Sequence, residues 1–380
     1  MFSREKLKIG FVIHGLSMGG AEKFMIYLVN KLKEDGHMPI IISLSTDKTL
    51  IHELNKDVPV VTILRKHKFD FTIVYRIRKV ILDNHLEQVF CINMFSFFLT
   101  RIGLLYNRSI KFYLSLHSTV PVSFKNHLAN HIYFGLVQQR DHVIYICNNQ
   151  QGYLKKKYLI RAHTDQVIYN GIDTDYFDPS LFSQFDTLRF RRQFGIAPAD
   201  LVILKVARLR VEKGHSDAIR ALGILHKQYG VKAHLLFVGN GDRPFIKSLT
   251  ELSREFDIEE YIHFSGIQSD VRKFYLSSTI FTLTSHSIET FSLAALEAMA
   301  FSLPCSLTNI GGANEMIYEE INGCLSEPNN PLSIAESWNK LLTTSFNRKS
   351  IRDIVLNNFT SDIMLQQYIN LFEKEKTNYN

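Results

Sequence analysis

Short runs of β-branched and apolar residues, each followed by a loop and then by a stretch of helical spacing, recur along this whole chain. Such alternation marks βαβ units, in which a helix carries the chain between parallel strands, so open parallel sheets with covered faces are the expected architecture. The first half predicts strands at residues 8–14, 38–44, 58–63, 88–92, 109–116, 143–147 and 165–169, with a loop at 15–20 and a helix over 21–34. Asp, Pro and Phe then break any period across residues 173–200. The pattern restarts with strands at 201–207, 233–238, 262–265, 279–283, 304–308 and 323–325, and helices at 216–229, 245–256, 271–277 and 292–300.

Two doubly wound α/β domains follow, and the 380 residues suffice for two. The boundaries read as a first domain over residues 1–175, a linker at 176–200, a second domain over 201–360 and a helix at 361–380 that packs back on the first domain. Open α/β sheets bind ligands beyond the carboxyl ends of their strands, so two domains on a linker predict a cleft between them.

Composition excludes several classes. With 46% hydrophobic and 21% charged residues, the chain is neither disordered, collagen-like nor a coiled coil. It has no apolar run of the length a membrane span needs, and its basic opening residues lead into a Gly-Gly loop without a cleavage pattern, so a cytoplasmic location is expected. Cys91, Cys147, Cys305 and Cys324 show no metal-ligand spacing and read as reduced, buried thiols.

Charge is divided unevenly. Residues 1–165 hold 23 Lys and Arg against 12 Asp and Glu, net +11, while the remainder is net −4. A basic half attracts an anionic phospholipid surface, a phosphorylated acceptor or nucleic acid, and charge alone does not choose among them. Arg76, Arg78, Lys79, Arg101, Arg108, Lys111, Lys125 and Lys155, Lys156 and Lys157 are the cations open to such a role, or to plain solvation.

The strongest constellation is Ser285-His-Ser-Ile-Glu289-Thr-Phe-Ser-Leu-Ala-Ala-Leu-Glu297, two carboxylates eight positions apart across a loop-to-helix junction. Thr290 or Ser292 can cap that helix, and the N–H groups of Phe291, Ser292 and Leu293 with the helix dipole form a seat for phosphate oxygens. An exposed helical Glu and a capping carboxylate are the plainer alternative. Arg208 and Lys213, five apart on a loop that ends at Gly214, can both reach one diphosphate, although basic loop residues are more often only solvated. His14-Gly-Leu-Ser-Met-Gly19-Gly20-Ala-Glu22 joins a strand to a helix start where an anion is favoured, without the dinucleotide spacing. His117 ends a strand and can donate to a hydroxyl or move a proton, or be structural. Asn170-Gly-Ile-Asp173 reads mainly as a turn, and Gly239-Asn-Gly241-Asp242 and Ile310-Gly311-Gly312-Ala-Asn-Glu315 remain open between ligand loop and turn.

In order and spacing these segments resemble the retaining nucleotide-sugar glycosyltransferases of family 4, whose GT-B fold is two facing Rossmann-like domains with an interdomain cleft. The matching pieces are Gly19-Gly20-Ala-Glu22, Asn170-Gly-Ile-Asp173, Arg208 with Lys213, Glu289 to Glu297 followed by Ala-Met-Ala, and Gly311-Gly312-Ala-Asn-Glu315. The resemblance implies an acceptor-binding first domain and a nucleotide-sugar-binding second domain. Arg208 and Lys213 would hold the donor diphosphate and stabilise the leaving group, and Glu297 would bind the ribose. Glu289 would contact the transferred sugar with Thr290 beside it, the amides of Phe291, Ser292 and Leu293 would seat phosphate, and the backbone of Gly266 and Ile267 would touch the base. His117, Gly19 and Gly20 would close the site from the first domain. No metal or other cofactor is implied. Thr290 stands where the family often has Gly, and His286 where a small residue is common, which points to an altered donor pocket.

The expected reaction is front-face transfer of a hexose or N-acetylhexosamine, with retention, from a UDP-sugar to a bacterial surface glycan or lipid-linked acceptor. Contact with the inner face of an anionic plasma membrane through the basic half is part of that expectation. Nucleotide-sugar epimerisation on the same fold is the alternative chemistry. A nucleic-acid binder lacks any recognisable motif and leaves Glu289 and Glu297 without a use.

Overall fold

The computed structural model describes residues 6–17, 19–67, 70–117, 124–287 and 289–377, and in them the chain divides into two compact units. The first comprises Met1–Tyr169 and Met364–Asn380, the second Asn170–Ile363.

In the first unit the chain runs β1 (Lys8–Ile13), α1 (Gly20–Glu34), β2 (Met38–Ser43), β3 (Val60–Thr62), α2 (Thr72–Asp83), β4 (Gln88–Ile92) and α3 (Asn93–Gly103). It continues through β5 (Lys111–Leu116), α4 (Phe124–Gly135), β6 (His142–Tyr145), α5 (Asn148–Lys157) and β7 (Thr164–Val167). The strands form one parallel seven-stranded sheet in the order β3-β2-β1-β4-β5-β6-β7. β4 is buried at all five positions, as a central parallel strand covered on both faces requires. The order reverses between β1 and β4, the place where such sheets open to ligands.

The second unit holds α6 (Thr187–Arg192), β8 (Leu201–Val206), α7 (His215–Tyr229), β9 (Ala233–Val238), α8 (Arg243–Glu255), β10 (Ile262–Phe264), α9 (Arg272–Leu276) and β11 (Ile280–Leu283). α10 (Leu293–Ala300), β12 (Cys305–Thr308), α11 (Ala313–Met316), β13 (Gly323–Ser326), α12 (Pro331–Thr343) and α13 (Arg348–Asn358) follow, and α14 (Ser361–Thr377) belongs to the first unit from Met364 onward. Its six parallel strands lie in the order β10-β9-β8-β11-β12-β13, with the reversal between β8 and β11. Both sheets are therefore Rossmann-like.

Residues 173–200, aperiodic in sequence, pack through aromatic rings on the second unit. Phe190 lies 5.0 Å from Phe274 between ring centres, and Phe182 lies 6.2 Å from Phe301. The first three residues of α14 close the second unit, and from Met364 the helix supplies Met364, Leu365, Tyr368, Ile369 and Phe372 to the core of the first. There Tyr368 packs 5.2 Å from Phe24 and Phe372 packs 5.0 Å from Tyr113. The motif Asn170-Gly-Ile-Asp173 is fixed to the start of this helix: Ile172 N–H donates to Phe359 O at 3.0 Å and its carbonyl accepts from Ser361 N–H at 2.8 Å.

Charge counting treats every cation as solvent-facing, and Arg101 corrects it. Its side chain is fully buried, pairs with buried Asp141 and stacks 3.6 Å over the Phe112 ring. It cannot meet a membrane. Lys125 lies outside the described side chains. All four cysteines are free and buried. Among the described residues no helix is long and apolar enough to cross a membrane.

Candidate functional site

The carboxyl ends of β8 and β11 are neighbours because these two central strands pair with one another. The loop after β8 carries Arg208 and Lys213, the loop after β11 carries Glu289, and 76 residues of sequence separate the last two. The fold brings them into contact: Lys213 Nζ donates to Glu289 Oε2 at 2.8 Å, with both side chains about four-fifths buried. Ser285 Oγ donates to the same oxygen at 3.3 Å. Arg208 is exposed at the end of β8.

Two contacts set the loops against each other. His286 N–H donates to Glu212 O at 2.9 Å, and the Thr284 hydroxyl donates to Gly214 O at 2.6 Å. Gly214 has φ +64°, and a Cβ there would lie 1.8 Å from Thr284 O, so no other residue fits without parting the loops. Gly311 (φ +57°) also passes close to the backbone of Glu289, 2.3 Å from its carbonyl to an added Cβ. The segment at 310–312 thus cradles the Glu289 loop, and Gly312 N–H donates to Thr290 O at 2.6 Å.

Ser292 caps α10, its Oγ accepting from Ala295 N–H at 3.3 Å. Thr290 and Ser292 are almost fully buried, and Phe291 packs 5.5 Å from Phe359. Leu293 opens the helix, half-buried. Glu297, one turn on, is held by Tyr275, whose hydroxyl donates to its Oε2 at 2.7 Å. Tyr275 is completely buried, and burial together with the Glu297 carboxylate pushes its phenol well above its ordinary value, so it stays a donor. At the end of β10 the Gly266 carbonyl accepts from Gly239 N–H at 3.0 Å, and Ile267 is 69% exposed, leaving its backbone accessible.

On the first unit, Gly19 and Gly20 start α1 at the end of β1, while His117 follows β5. Phe24 of α1 lies 4.8 Å from the His117 ring, so these sequence candidates share one end of that sheet. His117 Nε2 bonds Ser115 Oγ at 3.0 Å, and its N–H donates to Asn93 Oδ1 at 3.0 Å. Burial pushes the imidazole down to about 4, so it is neutral at pH 7.

Three features escape sequence reasoning. Lys205, within the apolar strand β8, is completely buried and donates to Thr284 Oγ1 at 2.9 Å. A lone cation inside an otherwise apolar parallel strand is the signal that marks it. His286 Nε2 pairs with Asp217 Oδ2 at 2.6 Å across 69 residues. Tyr275 gives no sequence signal, since aromatic residues in short helices are mostly core. No group of three His, Cys, Asp or Glu side chains gathers in metal-binding geometry among the described residues.

Residues 18–176 match the family described as Glycosyltransferase Family 4, and residues 186–355 the family described as Glycosyl transferases group 1. A glycosyltransferase of Methanocaldococcus jannaschii, itself uncharacterized, is 32% identical over 216 residues, covering 56% of this chain and 53% of that protein. The match thus spans about half of that relative. N-acetyl-alpha-D-glucosaminyl L-malate synthase of Bacillus anthracis is 27% identical over 270 residues, 69% of this chain and 68% of that one. Anabaena HepE, solved in complex with UDP and also with UDP-glucose, superimposes in its UDP complex with a TM-score of 0.84 at 20% identity, over 97% of this chain and 100% of that chain. That likeness shows the GT-B fold.

Proposed function

The chain belongs to the family 4, group 1 glycosyltransferases, and from that premise we propose that it moves a hexose or N-acetylhexosamine from a UDP-sugar, with retention, to a glycan or lipid-linked acceptor. The observation that carries this reading is the Lys213 and Glu289 pair beside the N-terminus of α10. A cation bound to a carboxylate at a helix start is a place where phosphate charge and a sugar hydroxyl can be recognised together.

In this reading Arg208 and Lys213 hold the diphosphate, joined by the amides of Phe291, Ser292 and Leu293. Glu289 contacts the transferred sugar beside Thr290, Glu297 with its Tyr275 partner binds the ribose, and Gly266 and Ile267 present backbone to the base. The bond from the anomeric carbon to the diphosphate oxygen breaks, and the acceptor oxygen bonds that carbon on the same face. The acceptor proton passes to the departing phosphate, whose charge Arg208 and Lys213 stabilise. His117, neutral, serves as a hydrogen-bonding group with Gly19 and Gly20 on the first unit. The reaction needs no resident metal or cofactor.

A lipid-linked acceptor is favoured by the surface of the first unit. No acidic residue occurs from residue 88 to residue 140. Phe71, just ahead of α2, and Tyr75 within it stand exposed with Lys79, and Tyr106 is 89% exposed near the exposed Arg108. Arg78 joins α2 to α3 by donating to Gly103 O at 3.1 Å. Aromatic tips among cations suit an anionic bilayer surface.

A thermal-shift screen of UDP-, GDP- and ADP-sugars tests the donor, since a ligand of the native state raises the melting temperature. UDP-sugars are expected to shift it. Glu289→Gln and Lys213→Ala should abolish transfer while melting close to wild type; wild-type turnover in either variant overturns the site.

A further inference from the structure

Lys205 is the fifth residue of β8, two positions after core residue Ile203 and therefore on the same face of the sheet. Its ammonium has three donors, yet Thr284 Oγ1 receives the one hydrogen bond it makes among the described residues. Thr284 is also completely buried and passes its own proton to Gly214 O. A buried cation, a hydroxyl and the carbonyl next to Lys213 thus form one chain beneath both loops of the candidate site.

The charged and titratable groups around this cation come from every neighbouring loop. Lys213 precedes α7, His215 and Asp217 lie in its first turn, and Glu289 and His286 follow β11. Glu289 is already engaged by Lys213, and Asp217 by His286. Both nearby carboxylates therefore have partners, while Lys213 repels a second positive charge. Burial first, and Lys213 second, hold the Lys205 ammonium down to about 7, against the pull of Glu289 and Asp217.

We propose that Lys205 is a positioning residue for the Lys213 and Glu289 pair: it ties their loops together through Thr284 and takes up a proton when an anionic ligand engages Lys213. The inference rests on reading Lys213 as a diphosphate contact. An anion at Lys213 cancels the repulsion that opposes a charged Lys205, so binding and protonation favour one another. The sign follows: the charged lysine binds the anion better, so affinity declines as pH rises through the neutral range. Each unit by which the ligand raises the Lys205 pKa corresponds to about a tenfold change in affinity.

Calorimetric titration of the full chain with UDP, between pH 6.5 and 8.5 in two buffers of different ionisation heat, tests this. Wild type should take up protons on binding and weaken by up to about tenfold per unit of displacement as pH rises. Because UDP has a titrating phosphate of its own, the comparison with Lys205→Met is the readout. That variant should bind UDP without the extra proton uptake and melt no lower than wild type. Thr284→Val, which changes no charge, should weaken UDP at every pH. Equal proton uptake in wild type and Lys205→Met overturns the proton linkage, and unchanged affinity in Thr284→Val overturns the positioning role. A wild type that gives no heat with UDP instead overturns the donor reading on which both rest.

Discussion

Replacing Gly214 by Ala probes how closely the two loops must approach. The residue sits at φ +64°, a conformation that costs a side-chain-bearing residue about 1–2 kcal/mol. Gly230, at the other end of α7, has nearly the same angle, φ +67°, but nothing within 4 Å of an added Cβ. Gly230→Ala therefore measures the conformational cost alone, a fall in melting temperature of about 2–4 °C per kcal/mol for a unit of this size. Gly214→Ala pays that cost and adds a Cβ 1.8 Å from Thr284 O, where contacts below 3.0 Å do not occur, so the backbones must part by at least 1.2 Å. Neither the 2.6 Å bond from Thr284 to Gly214 nor the 2.8 Å bond from Lys213 to Glu289 survives that opening at full strength. A displacement of about 1 Å at a reacting constellation lowers turnover about a hundredfold. The expected outcome is a melting temperature clearly below that of Gly230→Ala, and UDP binding and sugar transfer lost in Gly214→Ala alone. If the two variants melt together and bind UDP equally, the reasoning from loop apposition is wrong.

Two further perturbations address the first unit. Arg101→Ala leaves Asp141 buried without its cation and should cost about 3–5 kcal/mol in urea unfolding. The double change Arg101→Met with Asp141→Leu should recover most of that, and equal losses in single and double variants would refute the pairing argument. For the proposed bilayer face, Lys79→Ala with Arg108→Ala should weaken sedimentation with anionic vesicles by about thirtyfold, at about 1 kcal/mol per cation. Tyr75→Ser with Tyr106→Ser should weaken it further, and equal binding to neutral vesicles counts against an electrostatic surface.

The sheets were legible because a parallel strand buried on both faces must be apolar throughout. β4 and β9 fall at the limits their hydrophobic runs predict, whereas the edge strands β3 and β10 are shorter than theirs. Helices α12 and α13 also carry readable spacing, in Ile334, Trp338 and Leu341 and in Ile351 and Val355. The sequence reading, which weighs strands first, passes over both. Glu289 and Lys213 stand out singly in sequence, but their contact depends on β8 and β11 being neighbours, and a single chain does not state strand order. Lys205 is marked as a lone cation in an apolar run, but its partner Thr284 lies 79 residues on, and the contact again depends on β8 and β11 being neighbours. Arg101 misleads for the opposite reason, since composition cannot distinguish a cation in water from one clasped by a carboxylate among phenylalanines.

The path of α14 has a consequence for synthesis. The sheet translated first cannot finish its core until Tyr368 and Phe372 emerge, some two hundred residues after Tyr169. At about 5–20 residues per second that is roughly 10–40 s. Throughout this interval the surfaces of Phe24, Phe90 and Tyr113 that those two rings will cover stay uncovered on the nascent chain. The part of the protein made earliest is thus the last to be sealed, and a ribosome stalled before residue 364 holds an unfinished first sheet that is prone to capture by chaperones or by other nascent chains.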